Sequence, residues 1–268
     1  MKFVASLTTT PYRINQIRDT IESILNQTIQ VNCLELNIPL ILKRTGEIYQ
    51  IPQWLLDLEE NSKNTKCEIK IFRTDDYGPI TKVAPTLIRY KGNKDVFIWS
   101  LDDDIDYPVN MLATLFREYI PSKDRVLCHS GGDWRFDPQN LCAGYEANRR
   151  ERDVNFAEGH ASILYPAHLV KNDFEDYLNK VLENEDSNQS DDVIISNYFV
   201  LNNIIIHCCA YPYREDSLFL INCILKYGMN SQALHRQGGG NQKRYIRVYE
   251  WLKENNLNGW VNNNLIKE

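Results

Sequence analysis

The 268-residue sequence contains no apolar run approaching the ~20 residues that a helix needs to span a bilayer. Its first residues, Met1-Lys-Phe-Val-Ala-Ser-Leu-Thr, have neither the length nor the cleavage pattern of a secretory signal. No block of like charge is long enough to form a tail, and a net charge of -6 argues against a general nucleic-acid surface. An anionic ligand must then be neutralised locally, by a cation or by a few placed bases. The seven cysteines lack the paired spacing of a metal site. Cys208 and Cys209 are adjacent in an apolar run, and Cys33, Cys128 and Cys223 also have apolar neighbours. They read as buried reduced thiols of a cytoplasmic protein. Repeats, low-complexity tracts and linkers are absent too. The chain therefore reads as a single domain, 1–268, with unequal halves at 1–108 and 109–268.

With 43% hydrophobic residues the chain can bury a proper core. Its organising stretch is Asp95-Val-Phe-Ile-Trp-Ser-Leu-Asp-Asp-Asp-Ile-Asp-Tyr-Pro108. Residues 96–101 form a short apolar run, the pattern of a strand buried on both faces of a parallel sheet. The run ends in Asp102, Asp103 and Asp104, which repel one another and cannot all be well hydrated there. A divalent cation would resolve that conflict. If the backbone stays extended, Asp102 and Asp104 point to one side and Asp103 to the other. Two oxygen donors at the carboxyl edge of a parallel sheet suit Mg²⁺ or Mn²⁺ holding a phosphate-bearing ligand. The plain alternative is a solvated acidic turn.

In chain order, 2–7 reads as a strand closed by Thr8-Thr9-Thr10-Pro11, and Ile14, Ile17, Ile21, Ile24 and Leu25 recur at helical spacing over 13–27. Strands follow at 34–42 and 68–72, with a short helix opened by Pro52 between them and another helix at 83–90. After the acidic strand comes a helix over 109–119. This alternation predicts an α/β protein with a parallel αβα sheet. The second half predicts strands at 125–130, within 158–166 and at 204–209, and a helix at 167–182. A second helix follows, N-capped by Ser190 with Asp191 and Asp192 in its first turn. A glycine-rich basic loop at 233–245 precedes a closing helix at 246–254.

Four features fall in a consistent order: Thr-Thr-Thr-Pro after the first strand, Asp-Tyr-Gly-Pro-Ile-Thr-Lys at 76–82, Leu-Asp-Asp-Asp-Ile at 101–105, and Ser-Asp-Asp at 190–192. In that order they resemble the GT-A glycosyltransferases, most closely small family-2-like enzymes of bacteria and large DNA viruses. The resemblance extends over nearly the whole chain. It implies a nucleotide-sugar donor, with UDP the expected nucleotide, and a glycan or other hydroxyl acceptor. It also implies a Mn²⁺ or Mg²⁺ ion that stabilises the leaving diphosphate, with no nucleic-acid partner. For a viral protein the compartment would be host cytoplasm or virion.

The resemblance maps the metal ligands onto Asp104, Asp102 and His235, with Asp102 also reaching the ribose or donor sugar. Asp103 either joins the donor site or bonds neighbouring backbone. Thr8, Thr9 and Arg13 would cradle the nucleoside, the threonines being equally suited to cap the next helix. Asp76 would meet the base and Lys82 the ribose-phosphate, unless Lys82 is a solvated helix residue. Gly78 would let the backbone approach closely. Glu158 and His160 could line the sugar pocket, and Trp134 could stack on a sugar, whereas Trp99 and His207 look like core. Arg244 belongs to the cation-rich stretch with Arg236 and Lys243. Inverting transfer needs a general base, and Asp192 is favoured over Asp191. The helix dipole would lower its pKa and leave it a weak base. Retaining enzymes share the scaffold, so the anomeric outcome stays open. The rivals are a nucleotidyltransferase, whose glycine-rich phosphate loop is missing here, an inactive sugar- or nucleotide-binding module, and a phosphohydrolase, whose His-Asp clusters are missing.

Overall fold

A computed structural model of the protein describes residues 1–137, 142–145, 151–210 and 240–265. Its centre is a mainly parallel sheet of eight strands: β1 (Lys2–Leu7), β2 (Cys33–Pro39), β3 (Glu68–Thr74), β4 (Val96–Ser100), β5 (Arg125–Cys128), β6 (Arg152–Val154), β7 (Ile163–Pro166) and β8 (Ile205–Cys208). The spatial order is β6-β8-β5-β7-β4-β1-β2-β3. β1 to β4 all run parallel, and β8 is parallel to β5. β7 is antiparallel to both β4 and β5, and β6 is antiparallel to β8. The sheet is thus mixed where alternation alone predicted a parallel one.

Side-chain alternation divides the core in two. Val4, Ile98, Val126 and Ile163 face one layer, which holds α3 (Ala84–Tyr90), α5 (Phe174–Val181), α6 (Asp191–Leu201), α7 (Gly240–Glu254) and α8 (Gly259–Asn262). Phe3, Ala5, Leu7, Phe97 and Trp99 face the other, with α1 (Arg18–Leu25), α2 (Gln53–Ser62) and α4 (Met111–Arg117). The two-faced burial explains why the strands read as unbroken apolar runs.

The helix expected at 167–182 covers Phe174–Val181, and the closing helix begins at Gly240, within the stretch expected as a loop. Two further boundaries differ for identifiable local reasons. The helix predicted from residue 13 starts at Arg18, because the Thr10 carbonyl accepts the amides of Arg13 and Ile14 (both 3.0 Å) in a preceding turn. The strand predicted to residue 42 stops at Pro39, and the chain then doubles back as a hairpin pairing Ile41–Leu42 with Glu47–Ile48. Among the described residues no helix is long and apolar enough to cross a membrane. Cys33, Cys67, Cys128, Cys208 and Cys209 are buried free thiols.

Candidate active site

Because β1 to β4 are parallel, the segments that follow them lie along one edge of the sheet. There the turn after β1, the loop after β3 and the acidic run after β4 meet. β4 ends at Ser100. Tyr107 folds back beneath the acids, its ring packed on Trp99 (5.6 Å) and its hydroxyl accepting the Asp102 amide (2.8 Å). The Thr20 hydroxyl donates to the Asp103 carbonyl (3.1 Å). These ties turn the backbone at Asp103–Asp104, so the extended alternation predicted for the run does not occur. Asp103 and Asp104 instead share one guanidinium, with Arg13 Nη2 to Asp103 Oδ1 at 2.6 Å and Nη1 to Asp104 Oδ2 at 2.7 Å. Asp102 pairs separately with Lys82 Nζ at 2.8 Å.

The charges sort by these partners. Burial raises the Asp103 carboxyl to about 6, and Arg13 offsets this only in part. Burial also raises Asp104, again against the pull of Arg13. For Asp102 burial is again the largest single influence and would raise its pKa, but Lys82, His160 and Arg13 together outweigh it and lower the pKa. Burial would discharge Lys82 as well, yet Asp102, Asp191 and Asp192 hold it well above its ordinary value.

Lys82 is the link to the second acidic pair. Its Nζ also lies 2.7 Å from Asp191 Oδ2. Asp192 is held by the Gly159 amide, which donates to Oδ1 at 2.8 Å. A Cβ on Gly159 would stand 2.6 Å from Lys82 Nζ and 3.0 Å from Asp192 Oδ1, so the chain passes close over both. Ser190 opens α6 through its carbonyl, but its hydroxyl donates to the Asp186 carbonyl (2.8 Å) instead of capping the helix. The expectation of a depressed Asp192 pKa is overturned. Burial and then repulsion from Asp191 raise it well above the carboxylate range, despite the Lys82 charge and the helix dipole.

Other candidates have structural partners. Asp76 accepts the amides of Lys43 (2.7 Å) and Gly78 (2.8 Å), clasping the hairpin to the loop; its buried carboxylate is committed to backbone, not offered to a base. Gly78 has φ +72°, and a Cβ there would meet the Asn188 carbonyl oxygen at 2.0 Å, so the close approach is made by the chain itself. Thr8 donates to the Asn37 carbonyl (2.6 Å), and buried Thr9 lies beside Asp103. Lys82 is buried, which removes the solvated-helix reading. His160 sits near Asp102, and Glu158 accepts from the Ser130 hydroxyl. Arg244 is buried near Asp186 and Asp191, with its guanidinium on Asn241 and on Gln189 (3.5 Å). Trp134 is not a sugar platform: it is buried and stacked on Trp260 (5.2 Å, 15°). Trp99 is core as expected, and buried His207 pairs with Asp153 (2.6 Å). His235 and Arg236 lie outside the described residues.

The sequence reading missed the support beneath Lys82. Ser6 donates to the Lys82 carbonyl (2.6 Å), and its hydroxyl lies in hydrogen-bond contact with that of Thr86 (2.7 Å). Asn37, Arg89 and the buried Glu35 continue the chain, with Arg89 Nη2 on Glu35 Oε2 at 2.5 Å. Its trace in the sequence was the period-two spacing of Glu35 and Asn37 inside an otherwise apolar strand.

No protein-family model and no curated protein matches this chain. Among the described residues no group of three or more His, Cys, Asp or Glu side chains is arranged to hold a metal ion. Mg²⁺, however, usually takes only one or two carboxylates and completes its shell with phosphates and water. Asp102 and Asp104 lie close enough for their charges to act on one another, and their hard oxygens suit that smaller donor set, although each is paired here with a cation, Lys82 and Arg13.

Proposed function

We propose that the protein is a GT-A-type glycosyltransferase that moves a sugar from a nucleotide sugar, with UDP the nucleotide of choice, to a hydroxyl acceptor with inversion. The observation that carries the reading is the Lys82 bridge. One buried ammonium spans Asp102, in the acid run after β4, and Asp191, beside Asp192 at the start of α6. Transfer needs a leaving-group site and a general base within reach of one carbon, and the bridge brings the two acidic groups together. The order β3-β2-β1-β4-β7-β5, with β7 reversed, supports the fold part of the reading.

Asp102 and Asp104 would hold Mn²⁺ or Mg²⁺, which supplies Lewis-acid stabilisation of the departing diphosphate. Lys82 keeps Asp102 ionised, Arg13 holds Asp103 and Asp104 in place, and either cation would be available to a phosphate's charge. Asp192 accepts the acceptor's proton as its oxygen attacks the anomeric carbon and the diphosphate leaves. The raised pKa makes Asp192 a stronger base than an ordinary carboxylate. Transfer should therefore decline as pH falls through a value above the usual carboxylate range, because protonation removes the base.

The test is calorimetric binding of UDP with and without Mn²⁺, paired with turnover of UDP sugars. Asp104→Ala should abolish the metal-dependent part of UDP binding. Asp192→Asn should keep that binding while turnover drops by about 10² to 10⁴. UDP affinity indifferent both to Mn²⁺ and to Asp104→Ala would overturn the proposal.

A further inference from the structure

The hairpin that follows β2 carries exposed apolar side chains. Ile48 and Leu40 are 69% and 63% exposed and Ile41 48%, while Leu42 between them is buried. Ile41 and Ile48 are direct cross-strand partners and stand side by side on one face. Cations lie in the hairpin's turn and at its foot. Lys43 and Arg44 are exposed in the turn, and exposed Arg73 reaches the hairpin's foot by donating to the Pro39 carbonyl (3.0 Å). The acids nearby are Glu47, which accepts from Thr45 (3.0 Å), and exposed Asp75. The hairpin is rigidly mounted. Asp76 holds the Lys43 amide at 2.7 Å, and the Tyr49 hydroxyl donates to the Thr9 carbonyl at 2.9 Å.

We propose that this hairpin, residues 40–48, docks the protein on an anionic lipid surface. Its strands are two residues long, too short to offer a second copy a useful ladder. A two-stranded edge of this size offers no groove for a partner helix. An apolar edge flanked by basic side chains suits the headgroup layer: the isoleucines enter the acyl boundary while Lys43, Arg44 and Arg73 stay with the phosphates. The hairpin projects from the same sheet edge as Asp102 and Arg13, so docking brings that edge to the membrane. Resting on the transferase reading above, the acceptor is then a hydroxyl on a lipid-linked molecule; the docking itself does not depend on that reading.

Flotation of the full chain with phosphatidylcholine vesicles, with and without phosphatidylserine, tests this without nucleotide or metal. The wild type should float with the anionic vesicles and not with the neutral ones. Ile41→Asp/Ile48→Asp, and separately Lys43→Glu/Arg44→Glu, should lower the floating fraction by about tenfold or more. All four positions are exposed, so melting temperatures should stay at the wild-type value. A wild type that remains in the pellet fraction overturns the docking, as does flotation that survives the isoleucine pair. Equal flotation with neutral vesicles overturns the anionic preference. A wild-type dimer converted to monomer by the isoleucine pair, without flotation, assigns the face to a second copy and overturns the proposal too. Failure here leaves UDP binding untouched, and failure of UDP binding leaves flotation untouched.

Discussion

At the scale of single residues, Asp103 is an acid whose charge the fold resists. Its side chain is 3% exposed and its carboxyl is raised to about 6, burial outweighing Arg13. A raised carboxylate pKa means that the folded protein holds the proton more tightly than the unfolded chain. Below about pH 4 both states are protonated and nothing is lost. As pH rises from about 4 to 6, the unfolded chain releases the proton first and stability falls. Above 6 the whole cost is present, about 3 kcal/mol at about 1.4 kcal/mol per unit. Asp103→Asn removes that titration. The unfolding free energy of the variant, measured by urea denaturation, should therefore gain about 3 kcal/mol on the wild type between pH 4 and 7. A difference that stays flat across that range would show that Asp103 titrates as an ordinary carboxyl. Asp104 shares the guanidinium but is more exposed, so its share of the slope should be smaller.

At the scale of elements, the 3-10 turn Gly78–Lys82 delivers Lys82 to the acids, and its first residue sets the geometry. Gly78→Ala places a Cβ on the Asn188 carbonyl at φ +72°, and backbone cannot move aside as a side-chain end could. A loss of about 3 kcal/mol is expected in urea denaturation. Gly46→Ala is the control: φ is +74° but the space is open, so only conformational strain of about 1 kcal/mol should appear. Equal effects would mean that the Asn188 contact is not formed. Elements also divide what could be read in advance. The strand at 96–101 and the acids after it were legible because burial on two faces leaves a continuous apolar run. The reversed direction of β7 was not, because direction depends on the route of the connecting chain and leaves no periodic mark. Nor was the pairing of the acids, since Tyr107 turns the backbone from beneath. Trp99 lay inside an apolar run and was read as core; Trp134 follows Gly-Gly-Asp and its partner Trp260 is distant in sequence, so its burial was hidden.

At the scale of the whole molecule, the two core layers serve the two acidic groups separately. The acids after β4 rest on Trp99, Leu101, Ile105 and Tyr107 in one layer, whereas α6, with Asp191 and Asp192 at its start, is packed in the other. The segment from Leu257 to Trp260 seats α6. Asn197 donates to the Leu257 carbonyl (2.7 Å) and accepts the Gly259 amide (2.7 Å), and Trp260 Nε1 donates to the Asn155 carbonyl (2.8 Å). A Cβ on Gly259 would lie 2.5 Å from the Leu201 amide nitrogen, a measure of how closely the segment abuts α6. Trp260 is fully buried against Trp134. Trp260→Ala should therefore open a cavity and cost about 3–5 kcal/mol, read by urea denaturation. Trp260→Phe should recover part of it, because the stack survives in reduced form while the Asn155 bond does not. Since the acids after β4 sit on the opposite layer, the proposed function predicts that UDP affinity of the still-folded variant stays near the wild-type value while turnover falls with the displacement of α6. A loss under about 1 kcal/mol would mean that the surroundings collapse to fill the site. A parallel loss of UDP affinity would mean that the layers are coupled through Lys82, the one buried cation that touches both acidic groups among the described residues.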